Sequence, residues 1–150
     1  MKILLFIIFA AVAGATVRII FLEIINRLRS THIDLIKAIG TLYRGSFEHV
    51  MLKGISAHYI GGLIDTIFYL ILISVFNPGS ILISALYGGL IGLYNGYAVG
   101  FSLIALVSEH HPLEEFRKYG HEAVIYYWAG QVLFGITVGA VIGLEKVAAF

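Results

Sequence analysis

Four apolar stretches, each long enough to span a membrane, constrain this chain more than any other feature of its sequence. They cover approximately residues 3–25, 55–76, 81–107 and 123–144. A helix rises about 1.5 Å per residue, so about 20 residues cross the hydrocarbon core of a bilayer. Lipid offers the backbone no hydrogen bonds, which favours helices over irregular structure. The sequence therefore predicts an all-α integral membrane protein whose four transmembrane helices form one domain, residues 1–150.

The overall composition points to the same class of protein. Hydrophobic residues make up 59% of the 150 residues, whereas soluble domains are about 45–50% apolar. The net charge of +1 gives no indication of a nucleic-acid partner. The chain has no cysteine, which excludes disulfides and thiolate metal sites. Residues 1–15 resemble a secretory signal, but the apolar run continues to residue 25, so we expect a retained first helix.

Basic residues are distributed unevenly between the two sides of the predicted helices. Seven Lys or Arg side chains lie in segments 26–53 and 108–122, and two lie on the opposite side. Because basic loops remain cytoplasmic, both termini are predicted outside, in the plasma or inner membrane. Segment 26–53 alternates apolar and charged residues, which fits either amphipathic helices on the bilayer surface or a packed connector.

Each apolar stretch carries one strongly polar residue on a face of small residues. Arg18 follows Gly14, Asp65 follows Gly61, and Asn95 and Gln131 lie on glycine-rich faces. At about 1.5 Å per residue, all four fall about 10–18 Å from the cytoplasmic side. Polar groups are costly in hydrocarbon and face protein or water. We therefore expect an intramembrane polar layer with an Arg18–Asp65 ion pair.

His58 and Glu23 extend this layer towards the cytoplasm. His58 shares the helix face of Asp65, and Glu23 lies at a similar depth on the first helix. A His58–Glu23 pair would change charge near neutral pH. The layer as a whole is consistent with hydrogen bonds that fix the bundle or with a hydrated pathway. Aromatic residues 126–128 at the start of the fourth helix are typical of an interfacial belt, and the alternative is that they line a cavity.

Glycines recur every four residues in the third and fourth helices. Such stripes let two backbones approach closely, and this approach drives helix association in lipid. The two stripes face each other within one chain or face neighbouring copies, and we expect a homo-oligomer. The stripes are Gly88, Gly92, Gly96 and Gly100, and Gly135, Gly139 and Gly143.

Histidines and carboxylates crowd the segment between the third and fourth helices. His110, His111 and His121 lie there with four glutamates, and imidazole and carboxylate ligands suit zinc, iron or copper. The spacing matches no His-Glu-x-x-His signature. We favour a solvated charged loop without a cofactor. Ligation of a metal ion or haem by these histidines is the alternative.

These observations predict a small channel- or carrier-like protein. It would move a small polar solute or ion along a path lined by Arg18, Asp65, Asn95 and Gln131, extended by His58 and Glu23. One alternative is an accessory subunit of a larger membrane complex, bound to partner membrane subunits. The other is a metal- or haem-dependent membrane enzyme that uses residues 109–122.

Overall fold

The chain folds into a helical bundle with short helices on one side. The computed structural model describes residues 2–28, 34–42 and 48–148. Four of the helices are long and apolar enough to cross a membrane, which confirms the predicted all-α class and its four helices of spanning length. Within the described residues the elements are α1 (Lys2–Leu28), α2 (Leu35–Thr41), α3 (Val50–Phe76), α4 (Ile81–His110), α5 (Glu114–Arg117) and α6 (His121–Ala148).

The long helices extend beyond the apolar stretches that predicted them. Helix α3 begins at Val50, five residues before the expected start at residue 55, and α4 ends at His110 rather than at residue 107. Hydropathy reports where a helix can contact lipid, whereas backbone hydrogen bonds continue until a cap or a breaker ends them. The additional turns on the predicted cytoplasmic side carry polar residues such as Lys53 and Glu109.

A tight turn joins α3 to α4, as the Asn-Pro-Gly-Ser sequence predicts. Asn77 adopts a left-handed conformation with φ of 44°, and its N–H donates to the Ile73 carbonyl at 3.0 Å. Asparagine tolerates this conformation better than most residues. The Ser80 hydroxyl accepts a hydrogen bond from the Ile83 N–H at 3.2 Å and caps α4. The turn therefore places α3 and α4 antiparallel to each other.

Helix α6 is the central element of the bundle. In its most apolar window, 56% of the residues are buried, against 22–28% for the other three long helices. It packs most extensively on α4 and next on α1, whereas α3 and α4 touch each other little. Its inward residues Phe134, Val138 and Ile142 form one core with Tyr69 and Ile73 of α3. A second core lies towards the short helices and includes Leu22, Leu35, Val107 and Phe116.

Glycines line the contact between α4 and α6. A Cβ atom on Gly135 would overlap the Gly88 carbonyl, and one on Gly139 would overlap the Ser84 carbonyl. A Cβ on Gly92 would lie 2.6 Å from the Gln131 carbonyl oxygen. The two backbones are thus in direct contact at these levels. This contact also fixes the side of α6 from which Gln131 projects.

The short helix α2 packs against the N-terminal end of α3. A Cβ on Gly40 would overlap the Val50 carbonyl, and one on Gly54 would overlap the Ile36 carbonyl. The Asp34 carboxylate accepts a hydrogen bond from the Lys37 N–H at 2.9 Å and caps α2. Leu35, Ile36, Ala38 and Thr41 are buried. Residues 34–42 thus form a packed connector, and residues 29–33 and 43–47 of the predicted amphipathic segment lie outside the described residues.

The close α4–α6 contact predicts a sharp difference between two glycine substitutions. Gly135→Ala places its Cβ against the Gly88 backbone and 2.8 Å from the Tyr69 ring. Overpacking of this kind typically costs about 1–3 kcal/mol. Gly61→Ala serves as the matched control, because a Cβ on Gly61 meets no atom within 4 Å.

Reversible unfolding of the two variants in mixed micelles measures this difference. We expect Gly135→Ala to lower the free energy of unfolding and Gly61→Ala to leave it unchanged or raise it by up to about 1 kcal/mol through helix propensity. Equal effects of the two substitutions would show that the helices are farther apart than described.

Candidate functional site

A buried arginine occupies the centre of the bundle. Arg18 of α1 is 1% exposed. Its Nη1 donates to Gln131 Oε1 of α6 at 2.5 Å, and its Nη2 donates to the His58 carbonyl of α3 at 2.8 Å. Small residues on the same face of α1 allow this approach, since a Cβ on Gly14 would already lie 2.8 Å from the Phe134 ring. The guanidinium therefore ties α1 to both α3 and α6.

Asp65 of α3 provides the counter-charge. Its Oδ2 lies 3.5 Å from Arg18 Nη1, so the structure contains the predicted ion pair. The same oxygen accepts a hydrogen bond from Gln131 Nε2 at 2.8 Å, and Oδ1 accepts one from Asn95 Nδ2 of α4 at 3.1 Å. Each long helix thus contributes one side chain to a single network. We call Arg18, Asp65, Asn95 and Gln131 the polar cluster.

The two charges of the polar cluster differ in accessibility. The Arg18 side chain is 2% exposed, whereas the Asp65 side chain is 19% exposed. Gln131 is fully buried and Asn95 is half-buried. A molecule that approaches from the α3–α4 side therefore meets carboxylate and amide groups before it meets the guanidinium.

Aromatic rings surround the charged centre. Arg18 Cζ lies 5.0 Å from the centroid of the Phe134 ring and 5.9 Å from that of Tyr127. Rings at such distances attract a cation through their negative faces. Tyr127 is 6% exposed. The expectation that residues 126–128 form an interfacial belt is therefore wrong for Tyr127, because its ring packs inward against Arg18.

Two further buried polar groups adjoin the polar cluster without completing their hydrogen bonds. Among the described residues, Tyr69 Oη and His58 Nε2 have no hydrogen-bond partner. Tyr69 is 0% exposed, and its hydroxyl faces the side chains of Asn95 and Gln131. Buried polar groups are usually satisfied. These atoms are therefore positions where a water molecule or a solute would gain hydrogen bonds.

The predicted pair between His58 and Glu23 is replaced by other contacts. His58 is 3% exposed, and its ring lies 6.5 Å from that of Tyr127. Glu23 instead accepts a hydrogen bond from Arg27 Nε at 2.7 Å, one helical turn along α1. The Arg27 side chain is 77% exposed. Glu23 pairs with Arg27 because the two side chains share one accessible face of α1, whereas His58 faces the interior.

His111 connects the histidine-rich segment to α2. It is 1% exposed. The Leu113 N–H donates a hydrogen bond to His111 Nδ1 at 3.0 Å. His111 Nε2 in turn donates to the Ala38 carbonyl at 2.9 Å. Because the Leu113 N–H donates to Nδ1, the bond between Nε2 and Ala38 requires Nε2 to be the donor. Both ring nitrogens are therefore engaged, and a metal ion could bind only after one of these bonds broke.

The other two histidines predicted as metal ligands are exposed, unlike His111. The His110 side chain is 69% exposed and lies 3.9 Å from Glu109. His121 is exposed at the start of α6. Among the described residues, no three His, Asp or Glu side chains converge as a metal ion requires. The structure thus does not bring His110, His111 and His121 into one site.

A second hydrogen bond holds α2 in place. The Asp34 N–H donates to the Tyr119 hydroxyl at 2.7 Å. Burial raises the pKa of the Tyr119 phenol above its usual value, so it stays neutral. The pKa of Lys37 is also raised, but the cause is its hydrogen bond with Asp34 and the charge of that carboxylate, which favour the charged ammonium. Residues 111–119 therefore clamp the predicted cytoplasmic side of the bundle.

The sequence indicated the four members of the polar cluster but missed its aromatic neighbours. Tyr69 lies four residues after Asp65, so helical periodicity places it on the same face. Phe134 lies three residues after Gln131 in the same way. The helical spacing could have identified both residues, whereas the contact of Phe134 with Arg18 depends on the packing of α1.

Comparisons with known proteins add no relative from which a role could be inferred. The chain matches no family model, no curated protein and no solved structure at a significant level. Its function must therefore be argued from the polar cluster and its surroundings.

The ion pair predicts strongly coupled effects of two substitutions. Arg18→Met leaves the Asp65 carboxylate unpaired, and Asp65→Asn leaves the guanidinium unpaired. Each should destabilise the fold by about 3–5 kcal/mol if it follows buried pairs in soluble proteins. The double variant removes both charges and should recover part of that loss.

A double-mutant cycle in unfolding free energy measures this coupling. Arg27→Met is the matched control, because it breaks the accessible Glu23–Arg27 pair and should cost no more than about 1 kcal/mol. Strictly additive effects of Arg18→Met and Asp65→Asn would contradict the ion pair.

His111 and His110 offer an adjacent pair of contrasting substitutions. His111→Ala removes the bonds to Ala38 and Leu113, which should cost about 1–3 kcal/mol of local stability. Amide hydrogen exchange should then accelerate in residues 35–41. His110→Ala should leave that exchange unchanged, because this side chain is exposed. Equal exchange in the two variants would show that His111 does not anchor α2.

Proposed function

We propose that the protein is a carrier-like membrane protein that moves a small polar solute or ion past the polar cluster. The observation that carries this proposal is the Arg18–Asp65 pair, to which amide groups from the two remaining spanning helices are bonded. Ionisable groups inside membrane helices are expensive and commonly mark pathways for ions or substrates.

Packing alone is a weak reason for this cluster. A hydrogen bond between membrane helices contributes only about 0.6 kcal/mol on average. Glycine contacts already bring α4 and α6 together without any charge. The buried ion pair therefore adds a large desolvation cost, although glycine contacts could associate the helices without that cost. A functional role accounts for its presence better than stability does.

The accessible side of the cluster favours one class of solute. Asp65 is exposed to 19%, whereas Arg18 is almost completely covered. A cation or a hydrogen-bond donor would therefore be attracted to the carboxylate without passing the guanidinium. A solute bound at Asp65 would also lie next to the Asn95 amide, which is bonded to the same carboxylate and could replace part of the solute's hydration shell. We propose a small cation or a neutral hydrogen-bond donor as the solute.

An occluded carrier fits the burial of the cluster better than an open pore does. Gln131 and Arg18 are 0% and 1% exposed, so a solute that crosses at this level has to displace bonds between protein groups. His58 Nε2 and Tyr69 Oη supply unused hydrogen-bonding capacity on either side of Asp65 along α3. A solute would cross in steps, exchanging one hydrogen-bond partner for the next, while the polar cluster stays closed to one side of the membrane at a time. Glu23, bonded to Arg27 towards the end of α1, lies near the cytoplasmic entrance in this proposal.

The membrane setting and the assembly of the protein complete this proposal. The chain lies in the plasma or inner membrane with both termini outside and segments 26–53 and 108–122 cytoplasmic. We propose that glycine-stripe packing between α4 and α6 stabilises each subunit. Homo-oligomerisation then has to use faces other than these glycines. Four helices enclose little space, which favours more than one copy in a transport assembly.

The two alternatives named above make different demands on the molecule. An accessory subunit would co-purify with fixed membrane partners and would pass no solute alone. A metal- or haem-dependent enzyme would need His111 to release its bonds to Ala38 and Leu113. The geometry favours neither over transport, because the charged centre lies among the spanning helices.

Flux into liposomes tests the transport proposal. Purified protein is reconstituted and assayed with a panel of protons, alkali cations and small neutral polyols. We expect at least one of these to enter faster than into empty vesicles. Asp65→Asn and Arg18→Ala should reduce that flux by about tenfold or more, because each disrupts the charged centre.

Ser102→Ala is the control for this assay, because the Ser102 hydroxyl is exposed and bonds to the Ala98 carbonyl within α4. Retained helicity and solubility of all variants are checked first. Unchanged flux in both charge variants, or no flux of any panel member above empty vesicles, would overturn the proposal.

A further inference from the structure

A groove opens sideways between α3 and α4, towards the surface that faces the bilayer. Its walls are formed mainly by Phe68, Leu72 and Phe76 of α3 and by Tyr87 and Leu90 of α4, and its volume is about 590 Å³. Sites for small molecules typically enclose about 300–1,000 Å³ and are mostly apolar. The groove therefore has the size of a ligand site and an opening that lipid molecules can reach.

The inner end of this α3–α4 groove is polar. Asn95 lines the groove, and its amide donates to Asp65 Oδ1 at 3.1 Å. The Asp65 side chain behind this bond is 19% exposed. A ligand that reaches Asn95 is thus next to a partly exposed carboxylate. The other lining residues are aliphatic or aromatic.

The dimensions of the groove suit an extended chain. From Tyr87 to Ala98 the wall of α4 advances by eleven residues, or about 16 Å along the helix. Beside the turn at residues 77–80, the rings of Phe76 and Tyr87 stack with centroids 4.9 Å apart and narrow the groove. Asn95 lies near the other end, one helical turn before Ala98. A helix about 10 Å wide would occupy about 1,200 Å³ over this length, twice the volume of the groove, so α3 and α4 would have to separate to admit one. A single hydrocarbon chain requires no such movement.

We infer that the α3–α4 groove binds a single-chain amphiphile from the bilayer whose hydroxyl or ammonium head group contacts Asp65 and Asn95. Charge decides between head groups, because Asp65 attracts a donor or a cation and repels a carboxylate or a phosphate. This inference goes beyond the transport proposal, since it requires binding and no flux.

Photoaffinity labelling in bilayers tests the inference directly. The probes are dodecylamine, dodecanol and dodecanoate, each carrying a diazirine in the middle of the chain. Labelled residues are located by peptide mass spectrometry. We expect the amine and the alcohol to label α3 and α4 at residues 68–76 and 87–94 about tenfold more than the acid does. Asp65→Asn should abolish the preference for the amine over the acid.

Two tryptophan substitutions on α4 separate the groove from general lipid contact. Leu90→Trp fills the groove, whereas Leu86→Trp enlarges a side chain one turn away that does not line it. Leu90 and Leu86 are similarly exposed, at 57% and 60%. We expect Leu90→Trp to reduce labelling by the amine at least about fivefold, and Leu86→Trp to leave it unchanged. Unfolding transitions measured on both variants confirm that each is folded.

Three outcomes would overturn the inference. The first is equal labelling by the acid and the amine, which would show that any lipid chain fills the groove. The second is wild-type labelling of the Leu90→Trp variant, which would show that the probe binds elsewhere. The third is crosslinking of two copies of the chain through these residues, which would assign the groove to a subunit interface.

Discussion

A charge buried among membrane helices must be neutralised within the protein, and the arrangement of this bundle follows from that requirement. Arg18 cannot reach water, because it is covered by α1, α3 and α6. Its positive charge is offset by Asp65 at 3.5 Å and by the faces of two aromatic rings. Asp65 also accepts hydrogen bonds from amides of α4 and α6. One neutralised pair thereby couples all four spanning helices.

Small residues make this arrangement sterically feasible. Glycines at the α4–α6 contact bring two backbones together, so that Gln131 and Asn95 approach the same carboxylate. Gly14 performs the equivalent role for α1, since a larger residue there would contact Phe134 and hold Arg18 away. Helix α3 differs, because it touches α4 little: the described contacts include the Asn95–Asp65 bond, the Phe76–Tyr87 ring stack and the turn at 77–80. The α3–α4 groove exists because that contact is limited.

Sequence periodicity was sufficient for the class of fold and for the composition of the charged centre. Spanning-length apolar stretches predicted four helices, and steps of four residues placed Arg18, Asp65, Asn95 and Gln131 on small-residue faces. The chemistry of unpaired charge in lipid then predicted the Arg18–Asp65 contact. These inferences depend on local spacing and on a strong energetic penalty, and both can be read from one chain.

The rest depended on the rotation of each helix about its own axis, which spacing does not specify. The rotation of α1 decides that Glu23 meets Arg27 instead of His58, and that of α6 turns Tyr127 inward. His111 was grouped with His110 and His121 by composition, although the fold uses it to hold α2. Sequence proximity of titratable residues could not distinguish a ligand set from a clamp.

Solid-state NMR of the protein in bilayers tests the central claim most directly. Protein labelled with ¹⁵N-arginine and ¹³C-aspartate should show a dipolar contact between guanidinium nitrogen and carboxyl carbon, as an N–O separation of 3.5 Å requires. The contact should disappear in Asp65→Asn. Absence of the contact in the wild type, or its persistence in Asp65→Asn, would contradict a bundle organised around the Arg18–Asp65 pair.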